Sequence, residues 1–283
     1  MEIAKTIEQV RTLVKAARSR GRKIGFVPTM GALHIGHISL IETATKRADF
    51  VVVSIFVNPT QFGTGEDFEK YPCPIDADLE ICKNAGVDVV FVPSAEQMYG
   101  SENLTWINVE KLTESLCGRF RKGHFRGVTT VCAKLFNIVE PDFACFGWKD
   151  AQQAIVVRRM VADLKMPLEI IICPTVRESS GLALSSRNKY LSEQQKKDAA
   201  IIYKSLQKCR QMIESGITEA EAIINRMRNM LSHVPSIEVE YVSIVDAETL
   251  DAVKRIEKKV IAAVAVKIGS TRLIDNIVVD ISK

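Results

Sequence analysis

The sequence predicts an α/β fold: a doubly wound parallel sheet followed by a smaller C-terminal α+β domain. Three observations predict it. Short apolar, β-branched runs alternate with helix-length segments from residue 23 to residue 173. After residue 188 the order changes to two helices and then consecutive strands. The chain has 283 residues, a length that favours two domains. Alternating strands and helices imply crossover helices over a parallel sheet, whereas helices followed by strands imply a small layered α+β unit.

The elements follow in order. Residues 1–22 read as one amphipathic helix, with Ile3, Ile7, Val10, Leu13 and Val14 on one face. Residues 23–28 (KIGFVP) read as a buried strand ending in proline, and 36–47 as a helix. The run FVVVSIFV at 50–57 is a strand, 76–84 a helix and 87–92 a strand. Next come a helix at 128–139, a strand at 143–146, a helix at 151–164 and a strand at 168–173. This is a Rossmann-like order, whose ligand crevice lies beyond the carboxyl ends of the strands. Helices at 193–215 and 219–233 then precede strands at 238–245, 260–268 and 277–281. The domains are placed at 1–185 and 186–283, with the boundary inside 176–190.

Composition narrows the function. Hydrophobic residues make up 47 % and charged residues 25 %, as in a soluble globular chain long enough to bury a core without disulfides. The net charge of +4 is far below a nucleic-acid-binding signal. Seven irregularly spaced cysteines without a CxxC read as reduced thiols of a cytoplasmic protein. No signal peptide or membrane span is expected.

The strongest chemical signal is Pro28-Thr29-Met30-Gly31-Ala32-Leu33-His34-Ile35-Gly36-His37, where a strand ends and a helix begins. Glycines there allow close backbone approach, and helix-start amides attract phosphate oxygens. Two of the chain's four histidines share this turn, three positions apart, so both can face one ligand. Imidazoles so placed stabilise charge developing on a leaving group. A zinc site is not expected, because no third ligand is spaced to join the pair. Asn58 and Gln61 follow a strand, and their amides suit a substrate bearing hydroxyl and carboxylate groups. Lys149 follows a glycine at a strand end, a natural meeting point of cation and phosphate.

This is the HxGH signature of a nucleotidyltransferase superfamily, and its long form PTMGALHxGH resembles the pantothenate synthetase family. The resemblance continues through FVNPTQF at 56–62, GHFRGV at 123–128, FGWKDAQQ at 146–153 and LSSRN at 184–188. Such ordered segments together are far more specific than any one alone.

The resemblance implies an ATP-dependent ligase that joins pantoate to β-alanine through a pantoyl adenylate, releasing AMP and pyrophosphate. It implies His37, His34 and Lys149 as catalytic residues, with His37 the proton donor. The nucleotide would meet Met30, Gly31, Ala32, Leu33, His34, Ile35, Gly36 and His37. It would also meet Gly147, Trp148, Lys149, Asp150, Val176, Leu184, Ser185, Ser186 and Arg187. Ser185, Ser186 and Arg187 form a mobile-looking loop, and Val176 would offer backbone contacts to adenine. Pantoate would meet Gln61, which also contacts β-alanine, and Gln153, with Asn58 and Arg121 alongside. Asp78 is either a carboxylate for the Mg²⁺ that accompanies ATP or an ordinary surface-helix residue. The family also implies a homodimer. Cys73, Lys122 and Ser180 depart from its pattern, which has Arg, Pro and Asp at those places.

Two other readings stay open on sequence alone. His34-Ile35-Gly36-His37 spells the HIGH signature of class I aminoacyl-tRNA synthetases, although a small C-terminal domain leaves little room for tRNA. An ATP-binding regulatory module without turnover would share the fold.

Overall fold

The computed structural model describes residues 1–281. It divides into two compact units. The first comprises Met1–Glu110, Arg121–Trp148 and Gln153–Pro174; the second comprises Lys111–Phe120, Lys149–Gln152 and the chain from Thr175 on. Residues 282 and 283, which the sequence reading puts at the end of the second domain, lie outside the described residues.

The first unit holds a six-stranded, all-parallel sheet. Its strands are β1 (Glu2–Ala4), β2 (Ile24–Thr29), β3 (Phe50–Ile55), β4 (Val89–Phe91), β5 (Phe143–Gly147) and β6 (Glu169–Cys173). The order is β1-β4-β3-β2-β5-β6. The winding therefore reverses between β2 and β5, and in open α/β sheets ligands bind beyond the carboxyl ends of the strands at such a switch.

Both faces of the sheet are covered, and the side chains alternate between two cores. Ile24, Phe26, Val52, Phe91 and Phe146 pack with α1 (Ile7–Arg18), α6 (His124–Val139) and α7 (Ala151–Asp163). Val27, Val51, Val53, Ile55, Val90 and Cys145 pack with α2 (Ile35–Thr45) and α3 (Ile75–Asn84). Burial on both faces explains the unbroken apolar runs. Each fully buried Phe or Ile contributes about 1.5–3 kcal/mol. Short helices α4 (Ala95–Tyr99) and α5 (Leu116–Phe120) lie between β4 and α6 in sequence.

The second unit carries α8 (Glu193–Glu214), α9 (Ala220–Ser232) and an antiparallel meander of β7 (Ile237–Asp246), β8 (Val260–Ile268) and β9 (Thr271–Val279). Leu206, Ile223, Met227, Leu231, Ile244 and Val264 form its core.

Three element readings are corrected. Residues 1–22 are not one helix. Glu2–Ala4 pairs with Val89–Phe91 as an edge strand, Ile3 is exposed, and Thr6 caps α1 in a reciprocal box with Gln9. The helix expected at 128–139 begins at His124. The last strand begins at Thr271, not 277, because Gly269 (φ +59°) turns the chain into a hairpin that pairs Ile268 with Thr271. Arg272, Asp275 and Asn276 hid it by breaking the apolar pattern. All seven cysteines are free thiols, six of them buried.

Candidate active site

The site begins where β2 ends. Thr29 Oγ1 donates to the Ser54 carbonyl at 2.7 Å and accepts the Gly31 N–H at 3.2 Å. The chain then turns through left-handed geometry at Gly31 (φ +82°) and Ala32 (φ +51°). A Cβ on Gly31 would lie 2.9 Å from Asp78 Oδ2 and 3.0 Å from Ile55, so both the angle and the space call for glycine. Asp78, on α3 and 1 % exposed, accepts the N–H of Ala32 at 2.8 Å on one oxygen and that of Leu33 at 2.7 Å on the other.

His34 caps α2, and the two histidines form a reciprocal capping box, each side chain accepting the other's main-chain N–H. His34 Nδ1 accepts the Gly36 N–H at 3.1 Å, and His37 Nδ1 accepts the His34 N–H at 3.3 Å. Their ring centroids are 4.2 Å apart. A ring that accepts on Nδ1 carries its neutral-form proton on Nε2, so both imidazoles present an Nε2–H donor. A Cβ on Gly36 would come within 2.8 Å of the His34 ring, which explains the glycine between the histidines.

Beyond β3, the 3₁₀ turn Pro59–Gln61 is held by Asn58. Asn58 Oδ1 accepts from Tyr99 Oη at 2.7 Å and Thr60 Oγ1 at 2.9 Å. Its Nδ2 donates to Gln61 Oε1 at 3.1 Å and to the Gly127 carbonyl at 3.2 Å. Asn58 is thus a fully engaged orienting group, and Gln61 Nε2 lies 3.0 Å from Met30 Sδ. Gly127 must lack a side chain, since a Cβ would sit 2.4 Å from the Thr60 carbonyl oxygen.

Arg121 grips Glu66 with two parallel donors, Nε to Oε1 at 2.8 Å and Nη2 to Oε2. Its Nη1 lies 3.2 Å from His124 Nε2, and His124 Nδ1 is 2.8 Å from the Gln61 carbonyl. A guanidinium only donates, so His124 accepts on Nε2 and its Nδ1–H donates to Gln61. Burial raises the Glu66 carboxyl pKa, but the Arg121 hydrogen bond and charge outweigh it and hold the pKa below the ordinary value.

Gly147 closes β5 and Trp148–Asp150 form a 3₁₀ turn. In the second unit, Lys149 Nζ is 3.4 Å from Asp150 Oδ1, and the Lys149 carbonyl accepts Asn276 Nδ2 at 2.9 Å. The Val176 carbonyl accepts the Leu184 N–H at 3.0 Å. Ser185 caps the 3₁₀ turn Ser186–Tyr190, its Oγ accepting the Arg187 N–H at 3.3 Å. The segment expected to be loose is a capped turn, with Ser186 and Asn188 buried.

A family model described as pantoate-beta-alanine ligase matches residues 2–278. The chain belongs to the pantoate–β-alanine ligase family. It is 51 % identical over 282 residues to the pantothenate synthetase of Moorella thermoacetica, covering 100 % of both chains. It is 52 % identical to that of Thermoanaerobacter sp., covering 98 % of each. A pantothenate synthetase structure from Thermus thermophilus superposes with a TM-score of 0.93 at 42 % identity, covering 98 % of this chain and 99 % of that one. A Francisella tularensis pantoate–β-alanine ligase, solved with a β,γ-ATP ligand and β-alanine, gives a TM-score of 0.81 at 37 % identity, covering 98 % and 97 %. Membership makes the chain a ligase, and of the three sequence readings it leaves this one.

Within this ligase the first unit bonds Met30, Asn58, Gln61 and Arg121 to one another, and pairs His34 with His37 at the start of α2. The second unit draws Lys149 and the segment from Val176 to Arg187 together through β9. Gln153 is half-buried on α7, while the neighbouring Gln152 is only 6 % exposed. Gln152 donates to the Leu112 and Ser115 carbonyls and accepts the Cys117 N–H, so it is a structural residue.

Asp78 departs from the surface-residue expectation. Buried, with each oxygen accepting one main-chain N–H, it is no ordinary surface carboxylate. Among the described residues no group of three His, Cys, Asp or Glu is placed to hold a metal. Sequence reading also missed Glu66, Tyr99, Asp275 and Asn276. Asp275 and Asn276 had left one trace, a polar pair inside the apolar run LIDNIVV.

Proposed function

We propose that this ligase condenses pantoate with β-alanine in two steps at the cost of ATP. A pantoate carboxylate oxygen attacks the α-phosphorus, the bond to the bridging oxygen breaks, and pyrophosphate leaves. The β-alanine amine then attacks the acyl carbon of the pantoyl adenylate, the bond to AMP breaks, and the amine sheds a proton. Mg²⁺ arrives with the nucleotide, held by phosphate oxygens and water rather than by a protein cage.

The observation that carries this reading is the reciprocal bonding of His34 and His37. It fixes both tautomers and gives two Nε2–H donors at the start of α2, beside the crevice between β2 and β5. Donors fixed before reaction stabilise the charge gathering on pyrophosphate without reorganisation. His37 also serves as proton donor. Met30, Gly31, Ala32, Leu33, Ile35 and Gly36 line the same turn toward the nucleotide. Gln61, set by Asn58, and Gln153 hold pantoate, with Arg121 beside them. Lys149 and the Ser185, Ser186 and Arg187 turn hold phosphate; Gly147, Trp148, Asp150, Val176 and Leu184 hold the rest of the nucleotide. The working form is a cytoplasmic homodimer. Supporting a cytoplasmic place are the free thiols and the absence, among the described residues, of a helix long and apolar enough to cross a membrane.

Isotope exchange tests the order of steps. Labelled pyrophosphate should enter ATP with pantoate alone and not with β-alanine alone. An exchange that requires β-alanine would replace the adenylate with a concerted three-substrate reaction.

A further inference from the structure

Strand β9, at an edge of the three-stranded sheet, buries two adjacent polar side chains, Asp275 at 4 % and Asn276 at 5 % exposure. Buried polar groups cost stability unless fully hydrogen-bonded, and an apolar pair of similar volume would commonly be more stable. Their partners show what the arrangement does. Asn276 Nδ2 donates to the Lys149 carbonyl at 2.9 Å, across 127 positions of sequence. The Asn276 N–H donates to Asp275 Oδ1 at 2.8 Å, and the Asn276 carbonyl accepts Arg177 Nη2 at 3.4 Å. Asp275 takes both arms of the Arg177 guanidinium, at 2.6 and 2.9 Å. Arg177 in turn donates to the Gly181 carbonyl at 3.1 Å and lies 3.9 Å from the Tyr203 ring centroid.

We propose that Asn276 is a positioning residue for this reaction, fixing the Lys149 peptide so that the lysine side chain leaves its turn in one direction. The inference rests on the reading of Lys149 as a phosphate-binding residue. A lysine has four flexible side-chain bonds, and its root here sits in a three-residue 3₁₀ turn, Trp148–Asp150. Such a short 3₁₀ turn has poorer hydrogen-bond geometry than an α-helix. An external donor on the Lys149 carbonyl sets the peptide plane and with it the Cα–Cβ direction. Asp275 and Arg177 hold Asn276 from its main-chain side, which fixes the backbone that carries the donor. The same pair pins the start of the segment that leads to Ser185, Ser186 and Arg187. One strand thereby anchors two segments of the second unit that this reaction uses.

The test is a double-mutant cycle with ATP, pantoate and β-alanine on the full chain. Asn276→Ala should lower kcat/KM for ATP by about 10- to 100-fold, the scale of a misplacement near 1 Å, while the pantoate KM stays within about twofold. Lys149→Ala should be severely impaired, and adding Asn276→Ala to it should cost nothing more, because the side chain being aimed is gone. Wild-type ATP kinetics in Asn276→Ala, or an equal further loss in the Lys149→Ala background, overturns the proposal. Asn276→Ser, too short to reach, is read the same way if the alanine variant melts early. If neither variant folds, Asn276 serves the core alone and the proposal fails. A fully active Lys149→Ala would instead remove Lys149 from the mechanism, an outcome distinct from the others.

Discussion

Asp78 and Leu33 are joined by a 2.7 Å hydrogen bond that ties α3 to the turn in front of the two histidines. The other Asp78 oxygen takes Ala32, so one buried carboxylate neutralises two consecutive amides of a left-handed turn. Backbone amides in such a turn have no secondary-structure partner, and the carboxylate supplies it. The turn that leads to His34 is therefore shaped by a residue more than forty positions away in sequence.

Asp78→Asn should disorder that turn. An amide offers one oxygen where two are needed and turns an N–H toward an N–H. We expect a loss of about 1–3 kcal/mol in urea unfolding. We also expect a fall in kcat/KM of about tenfold or more from misplaced histidines. The Mg²⁺ dependence of the remaining activity should match the wild type. A selective rise in the Mg²⁺ requirement, with unchanged stability, would return Asp78 to the metal.

His37→Ala should separate catalysis from stability. Loss of the Nε2–H donor should lower kcat by about 10²–10³. Loss of the acceptor for the His34 N–H should cost about 0.5–2 kcal/mol, the worth of a helix cap. Turnover near normal in the folded variant would take His37 out of the chemistry.

The two adjacent glutamines should behave oppositely. Gln152→Ala strands the Leu112 and Ser115 carbonyls and the Cys117 N–H, and should destabilise the protein by about 2–3 kcal/mol. Gln153→Ala should leave the melting transition in place and raise the pantoate KM about tenfold, the effect of about 1.4 kcal/mol. Interchanged phenotypes would show the assignment reversed.

Asp246 should make the protein acid-sensitive. Its carboxyl is lowered to about 2, first by the Lys258 hydrogen bond and the Thr249 N–H, then by the Glu248 N–H; burial pushes the other way and loses. A carboxyl depressed on folding stabilises the native state above its unfolded pKa, near 4, and that stability disappears as pH falls toward 2. Because Lys258 is largely exposed, the contribution is about 1–2 kcal/mol. Asp246→Asn should be less stable than wild type at pH 7, and the gap should close between pH 4 and pH 2. A gap that stays constant over this range would assign the loss to packing.

Much was legible in the chain itself. Apolar runs such as Phe50–Ile55 declared the parallel sheet, since a strand buried on both faces has no room for polar alternation. PTMGALHIGH declared the strand–turn–helix, because glycine geometry and helix capping act within a few residues. The sequence by itself thus determined the α/β class, most elements and the ligase family. Only the tertiary structure decided that Asp78 shapes the loop, that Arg121 grips Glu66, and that Asn276 reaches Lys149. It also decided that residues 2–4 are a strand, since an edge strand exists only beside its neighbour. The physical reason is shared. Hydrogen bonds between distant segments depend on where the whole chain places each donor, and periodicity and spacing along one segment carry no record of it.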